Sequence, residues 1–204
     1  MSRDFVTHLE CAYTGEIIEK GVPHTLSSAG KPILVRYDLA AMREEVTRED
    51  IETSEEAGFW RYSPLLPVAD AANRVSLGEV VTPIVALERS IEHMALDGAE
   101  VLVKDESRLP TGSFKARGLA LAVSMAKEFG FKHLAIPTNG NAGSALAAYA
   151  ARAGIRSTVL CHDDTPFSNS SETQAQGADT YLVNGLIGDC GAIINAGKES
   201  IGWF

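Results

Sequence analysis

Two short segments of this chain carry residue types that do chemistry. The first is Lys104-Asp105-Glu106-Ser107-Arg108-Leu109-Pro110-Thr111-Gly112-Ser113-Phe114-Lys115-Ala116-Arg117-Gly118. Its Pro-Thr-Gly-Ser centre is turn chemistry with capping hydroxyls. Helical periodicity follows it, so Lys115 falls in the first turn of a helix. The positive end of a helix macrodipole is a poor place for a cation, and a nucleophilic lysine acts as the neutral amine. The second segment is Pro137-Thr138-Asn139-Gly140-Asn141-Ala142-Gly143-Ser144-Ala145. It joins a strand-like run to an Ala-rich one. Small residues let a backbone approach a ligand closely, and unpaired N–H groups at a helix start hold an anion. The segment is neither GxGxxG nor a Walker loop. Taken singly, the first also reads as a surface lysine and the second as a structural turn.

The elements around them must place both segments. Val101–Val103, Leu134–Ile136, Thr158–Cys161 and Tyr181–Val183 are strand runs, with Pro137 expected to stop the second. The last three recur at about 23-residue spacing, which is that of βαβ units with a helix in each crossover. Residues 114–129 form a helix whose apolar face is Leu121, Met125 and Phe129. Ala142–Ala153 is a second helix closed by Gly154, and Ile187–Ile201 a third. The fold class is therefore α/β, a parallel sheet with helices on both faces. The first 60 or so residues differ. Turn signals at 13–16 and 27–32 bracket short β-like runs, Ile33–Tyr37 is a strand, and Asp38 caps a short helix. Residues 43–57 are a charged, solvated linker, and Phe59-Trp60-Arg61-Tyr62 is an aromatic packing plug. The division expected is a ribbon and linker over 1–62 and an α/β lobe over 63–204.

Composition narrows the classes. The 204 residues hold 18 Lys+Arg against 27 Asp+Glu, a net charge of −9, which argues against a nucleic-acid partner. Apolar runs are too short for a membrane span, and the first residues lack the apolar core of a leader. Three scattered cysteines, Cys11, Cys161 and Cys190, form no disulfide framework and no zinc knuckle, so each is expected to be a small buried hydrophobe in a reduced, cytoplasmic setting. His8, His24, His93, His133 and His162 form no ligand pair, Cys161-His162-Asp163-Asp164 is expected to be a strand-end turn, and no metal is expected.

Together the two segments are specific. P-T-G-S-F-K-x-R-G some 25 residues before G-N-x-G resembles the fold-type II pyridoxal phosphate enzymes, the tryptophan synthase β-like family. Within it the chain most resembles the threonine synthases. Leu77-Gly78-Glu79-Val80-Val81-Thr82-Pro83-Ile84 is similar to their LGEGxTPL. Residues 11–15 and 30–38 are similar to their amino-terminal ribbon, and 59–67 to WRYxxLLP. Three departures stand out: Ala116 replaces the common Asp of SFKDRG, Val80 replaces a small residue, and Thr14 and Ala29 replace ribbon cysteines, so no zinc closes it.

The resemblance implies roles. Pyridoxal 5′-phosphate would be held covalently by Lys115, which would then shuttle protons at the substrate's α and β carbons. Phe114 would lie near the pyridine ring, and Asn141 would hydrogen-bond its 3′-oxygen. Thr138, Asn139, Gly140 and Ala142 would bind the substrate carboxylate, and Arg108 would meet a substrate phosphate. The reaction implied is O-phospho-L-homoserine plus water giving L-threonine and phosphate, in a protein that forms a homodimer at full length. A threonine dehydratase-like or cysteate synthase-like enzyme is the alternative. So is a truncated, non-catalytic member, because no Gly-rich phosphate loop follows Gly143: Gly185, Gly188, Gly191 and Gly197 are dispersed. The chain is expected to be an amino-terminal half of such an enzyme.

Overall fold

A computed structural model of the chain describes residues 4–87, 89 and 98–204. The expectations for residues 1–3 and for His93 lie outside the described residues. Three short strands open the chain: β1 (Val6–Cys11), β2 (Ile17–Ile18) and β3 (Ile33–Tyr37). They pair antiparallel in the order β2-β1-β3, which makes the expected ribbon. Asp38 then caps α1 (Leu39–Glu45) by accepting from the Ala41 amide at 3.0 Å. Helix α2 (Arg48–Glu52) begins with a capping box between Thr47 and Asp50, and neither helix buries a residue. The charged linker is thus a solvated stretch, as its composition requires.

The aromatic plug is a 3-10 helix over Gly58–Leu65. Trp60 is buried, donates its indole N–H to the Val75 carbonyl at 3.1 Å, and meets Phe59 edge to face. Strands β4 (Ile84–Ala86) and β5 (Leu102–Lys104) follow as an antiparallel pair.

The lobe then alternates. Helix α3 (Lys115–Glu128), β6 (His133–Thr138), α4 (Asn141–Ala153), β7 (Arg156–His162), α5 (Phe167–Ala175), β8 (Asp179–Val183) and α6 (Ile187–Ile201) run in sequence. The three strands are parallel in the order β6-β7-β8. Side chains of β7 alternate between two apolar clusters. Val159 and Cys161 meet Ala147 of α4, while Leu160 meets Cys190 and Ile194 of α6. The helices therefore cover both faces, which is why the strands read as apolar runs without a polar side.

Two expectations about this lobe need correction. Pro137 does not stop β6, which continues to Thr138. The Ala135 amide donates away from β7, to the Phe204 carbonyl at 2.8 Å. Pro137 sits two residues on and faces the same side, so its missing N–H costs no bond to β7. The packed face of α3 also differs from Leu121, Met125 and Phe129. Ala116, Ala120, Val123 and Ser124 face the core with no exposure. The longer side chains are half-buried and line a groove of about 940 Å³ shared with Val6, Leu9 and Ile33 of the ribbon. Small residues let α3 lie close against α4, and four-residue spacing alone does not say which stripe is the close one.

All three cysteines are free and buried. Burial pushes the Cys161 and Cys190 thiols up. Cys11 differs: its sulfur lies 3.1 Å from Ser27 Oγ and accepts from the Thr14 amide at 3.4 Å. These contacts bring its thiol down to about 7. Thr14 thus sits in a hydrogen-bonded turn at a place where the resembled ribbon carries a cysteine.

Candidate active site

Lys115 is the first residue of α3, and the turn before it is built to hold it there. Leu109 is buried in the core cluster with Ala116. Thr111 adopts φ 59, ψ 18, a left-handed conformation that non-glycine residues rarely take. Gly112 follows with φ 64. The Lys115 ammonium lies 4.2 Å from the centroid of the exposed Phe114 ring, a cation–π contact.

Behind this turn sits a polar clamp. Arg117 Nε donates to Glu106 Oε2 at 2.6 Å, and its Nη2 to Glu106 Oε1 at 2.8 Å. The buried Thr82 hydroxyl donates to the same Oε1 at 2.6 Å and accepts from Arg117 Nη2 at 3.1 Å. Lys104 Nζ donates to the Thr82 carbonyl at 2.6 Å. The guanidinium and the hydroxyl hold the Glu106 carboxyl down to about 2. Two segments, one with Thr82 and one with Lys104 and Glu106, are thereby tied to the second residue after Lys115. Arg108 lies outside this clamp. It is largely exposed and ion-paired to Asp105 at 2.9 Å.

The second turn is closed by Thr138, which is 3% exposed. Its hydroxyl accepts from the Gly140 and Gly143 amides at 3.0 and 3.1 Å and donates to the Gly140 carbonyl at 3.0 Å. These bonds shape the loop. Gly143 is required by this packing, since a Cβ there would stand 2.6 Å from Thr138 Cγ2 and 2.8 Å from Val159 Cγ1. Gly140 begins α4 with φ 154 and no side-chain cap, so the first-turn amides of Asn141 and Ala142 have no intrahelical acceptor. Asn139 and Asn141 are exposed, and Gly140 is buried. Asn169, at the start of α5, donates from Nδ2 to Asn141 Oδ1 at 3.2 Å.

Topology brings the two turns to one end of the lobe. Helices α3 and α4 both run antiparallel to β6 and pack side by side through Ala116, Ala120, Leu146 and Tyr149. Both helices therefore begin at the carboxyl end of the parallel strands, the usual ligand end of an open α/β sheet. The Pro110–Gly112 turn touches α4 directly. Thr111 Oγ1, Ser113 Oγ and Ser144 Oγ are buried here with no hydrogen-bond partner among the described residues. Such hydroxyls are costly unless a ligand or water satisfies them. The turn after β7 lies at the same end. His162, Asp163 and Asp164 offer ligand atoms within 4.8 Å of one another, with both aspartates exposed. Among the described residues, no helix is long and apolar enough to cross a membrane.

Sequence reasoning singled out Lys115 and the Asn-Gly-Asn turn. It missed Glu106, Arg117 and Thr82 as one clamp, and it missed Asn169 as a neighbour of Asn141. It also missed the buried Tyr149 hydroxyl, which donates to the buried Glu79 carboxylate. Burial and that carboxylate push the Tyr149 phenol up. The signal available was only the presence of charged residues inside otherwise apolar motifs.

Comparison with known proteins agrees with this geometry. Residues 75–204 match the family described as pyridoxal-phosphate dependent enzyme. The chain belongs to that family. Among curated members, threonine synthase of Methanocaldococcus jannaschii is 31% identical over 89% of this chain and 44% of its own length. Threonine synthase of Halalkalibacterium halodurans is 41% identical over 48% of this chain and 27% of its own. The chain thus spans less than half the length of these relatives. Among solved structures, an O-ureido-L-serine synthase superposes with a TM-score of 0.54 at 33% identity, over 60% of this chain and 40% of that one. A pyridoxal phosphate-dependent aspartate racemase shares the fold at TM-score 0.58 and 24% identity, over 78% of this chain and 44% of that one.

The family is named for its cofactor, pyridoxal phosphate, and the residues present fit that group. A primary amine at a helix start, an adjacent exposed aromatic ring and a side-chain amide on the neighbouring turn could serve it as a covalent anchor, a wall and a donor. The hydroxyls of Thr111, Ser113 and Ser144, without a partner among the described residues, suit a polar ligand.

Proposed function

We propose that this chain supplies the lysine-bearing half of a threonine synthase-type active site, acting on O-phospho-L-homoserine and water to give L-threonine and phosphate. The observation that carries the reading is the joint placement of the Lys115 turn and the Thr138–Gly143 turn at the carboxyl end of one parallel sheet. The curated relatives named threonine synthase support the choice of substrate. Pyridoxal phosphate, when bound, supplies an electron sink for negative charge at the substrate α carbon. Lys115 would hold the cofactor through its amine and would then move protons at the substrate Cα and Cβ. Phe114 would lie near the cofactor ring, and the Asn141 amide would donate to its 3′-oxygen. The Asn139–Ala142 backbone at the start of α4 receives the substrate carboxylate, which the helix dipole favours. Thr138 acts through the shape of that backbone. Phosphate would leave Cγ, which takes up a proton to become the methyl group, and Cβ would lose a proton and gain the hydroxyl from water.

A second reading rests on Arg108, which is paired with Asp105 and stands in the open. With Arg108 engaged in that pair, a dehydratase-type substrate, which carries no phosphate, is the alternative. Adding pyridoxal phosphate to the chain tests the anchor: a visible absorption band must appear and must vanish in Lys115→Ala. Borohydride trapping and peptide mapping must then place the label on Lys115. Phosphate release from phosphohomoserine supports the synthase reading; 2-oxobutyrate from threonine supports the alternative.

A further inference from the structure

We propose that Asn169 is a positioning residue that fixes the Asn141 carboxamide with Nδ2, not Oδ1, turned toward the cofactor's ring oxygen. The inference rests on the reading of Asn141 as the residue that meets that oxygen. A carboxamide has one accepting oxygen and one donating nitrogen, and the two ends are nearly the same size. An exposed Asn141 left alone would present either end. A phenolate-like oxygen needs the donor; the other orientation sets oxygen against oxygen. Asn169 breaks the tie, because its Nδ2 donates to Asn141 Oδ1 at 3.2 Å and so leaves the Asn141 amide protons unspent.

Asn169 is itself held from two sides. Its carbonyl accepts from the Thr173 hydroxyl at 2.7 Å, and Thr173 has no exposure. Its own amide donates to the Pro166 carbonyl at 2.9 Å. The space for its side chain comes from Gly140, where a Cβ would stand 3.3 Å from Asn169 Cγ and Oδ1. The start of α5 is thereby locked against the start of α4. This explains an asparagine there: Asp can only accept, and Ala fixes nothing.

Two variants separate positioning from packing. In Asn169→Ala the Asn141 amide is free to turn, and cofactor affinity, read by titrating the visible band, falls about fivefold, the worth of one neutral hydrogen bond. Asn169→Asp keeps the shape but demands a donor, so it turns Asn141 Oδ1 toward the cofactor and costs about tenfold more. A merely structural asparagine predicts the reverse order, with the isosteric Asp milder than Ala. In an Asn141→Ala background both effects must disappear; an effect of Asn169→Asp that persists there is simple charge repulsion and overturns the inference. The free chain gives a readout without cofactor. In ¹⁵N-edited NMR spectra the Asn169 side-chain amide protons must be the hydrogen-bonded ones, and the Asn141 amide must become so only in Asn169→Asp. An Asn141 amide that already donates to Asn169 in the unmodified chain overturns the inference. No visible band in the unmodified chain sinks the Lys115 reading instead, and the NMR result then decides the orientation alone.

Discussion

The clamp behind Lys115 makes a prediction with a worked pH dependence. Glu106 is held at about 2 against an ordinary 4.5, first by Arg117 and then by Thr82. That lowering corresponds to about 3 kcal/mol of folding stability at pH 7. The side chains are 23% and 30% exposed, so solvent screens part of it. About 1–2 kcal/mol is the expected coupling between Arg117 and Glu106. A carboxyl whose folded value is depressed stabilises above the unfolded value and loses that contribution as pH falls through the folded value. The coupling is therefore full above about pH 5, less than half remains at about pH 3, and almost none at about pH 2. The assay is urea unfolding of the parent chain, Arg117→Ala, Glu106→Ala and the double variant, each at neutral and acid pH. A coupling below about 0.5 kcal/mol at pH 7, or one that is unchanged at pH 3, would refute the reasoning.

Three further substitutions follow from the same geometry. Gly143→Ala forces a methyl against Thr138 and Val159 and is expected to cost about 1–3 kcal/mol, seen as a lowered melting temperature. Thr138→Val keeps the shape but strips the Gly140 and Gly143 amides of their acceptor; about 1–3 kcal/mol is expected, with faster hydrogen exchange at those two amides. Ala116→Asp puts a carboxylate into the apolar cluster of Val75, Leu109 and Val123. It is expected to cost more than about 3 kcal/mol at pH 7, and less below about pH 4, where the unfolded chain also protonates it.

Local chemistry was legible wherever it announced its own backbone. Gly154 closes α4 with φ 67, and that end was readable from the glycine after an apolar run; Gly202 closes α6 with φ 76, where only the helix itself was read. The Asp38 cap and the even spacing of β6, β7 and β8 were legible for the same reason. Lys115 stood out because a cation at a helix start runs against the dipole. What sequence could not show is pairing at a distance. Thr82 reaches Arg117 across 35 positions, and Tyr149 reaches Glu79 across 70. Nothing about a threonine or a glutamate says which of many polar partners the fold brings to it. The inward stripe of α3 was hidden because alanines make the close contact, while the larger Leu121, Met125 and Phe129 give the louder pattern.

Ala116 shows how a site residue and a packing residue can be confused. It lies between Lys115 and Arg117, so a difference there reads naturally as a change of chemistry. Its position on the helix says otherwise. Lys115 is half-buried beside Phe114 and Arg117 turns to Glu106, while Ala116 points into the core with no exposure. Whatever stands at 116 in this chain must first satisfy Val75, Leu109 and Ala120. A carboxylate would need partners that this cluster lacks, so Ala is what the local packing demands. The residue therefore carries little information about substrate. The Asn169–Asn141 pair, an exposed polar contact on the second turn rather than a packing contact, is where differences between substrates have to be sought.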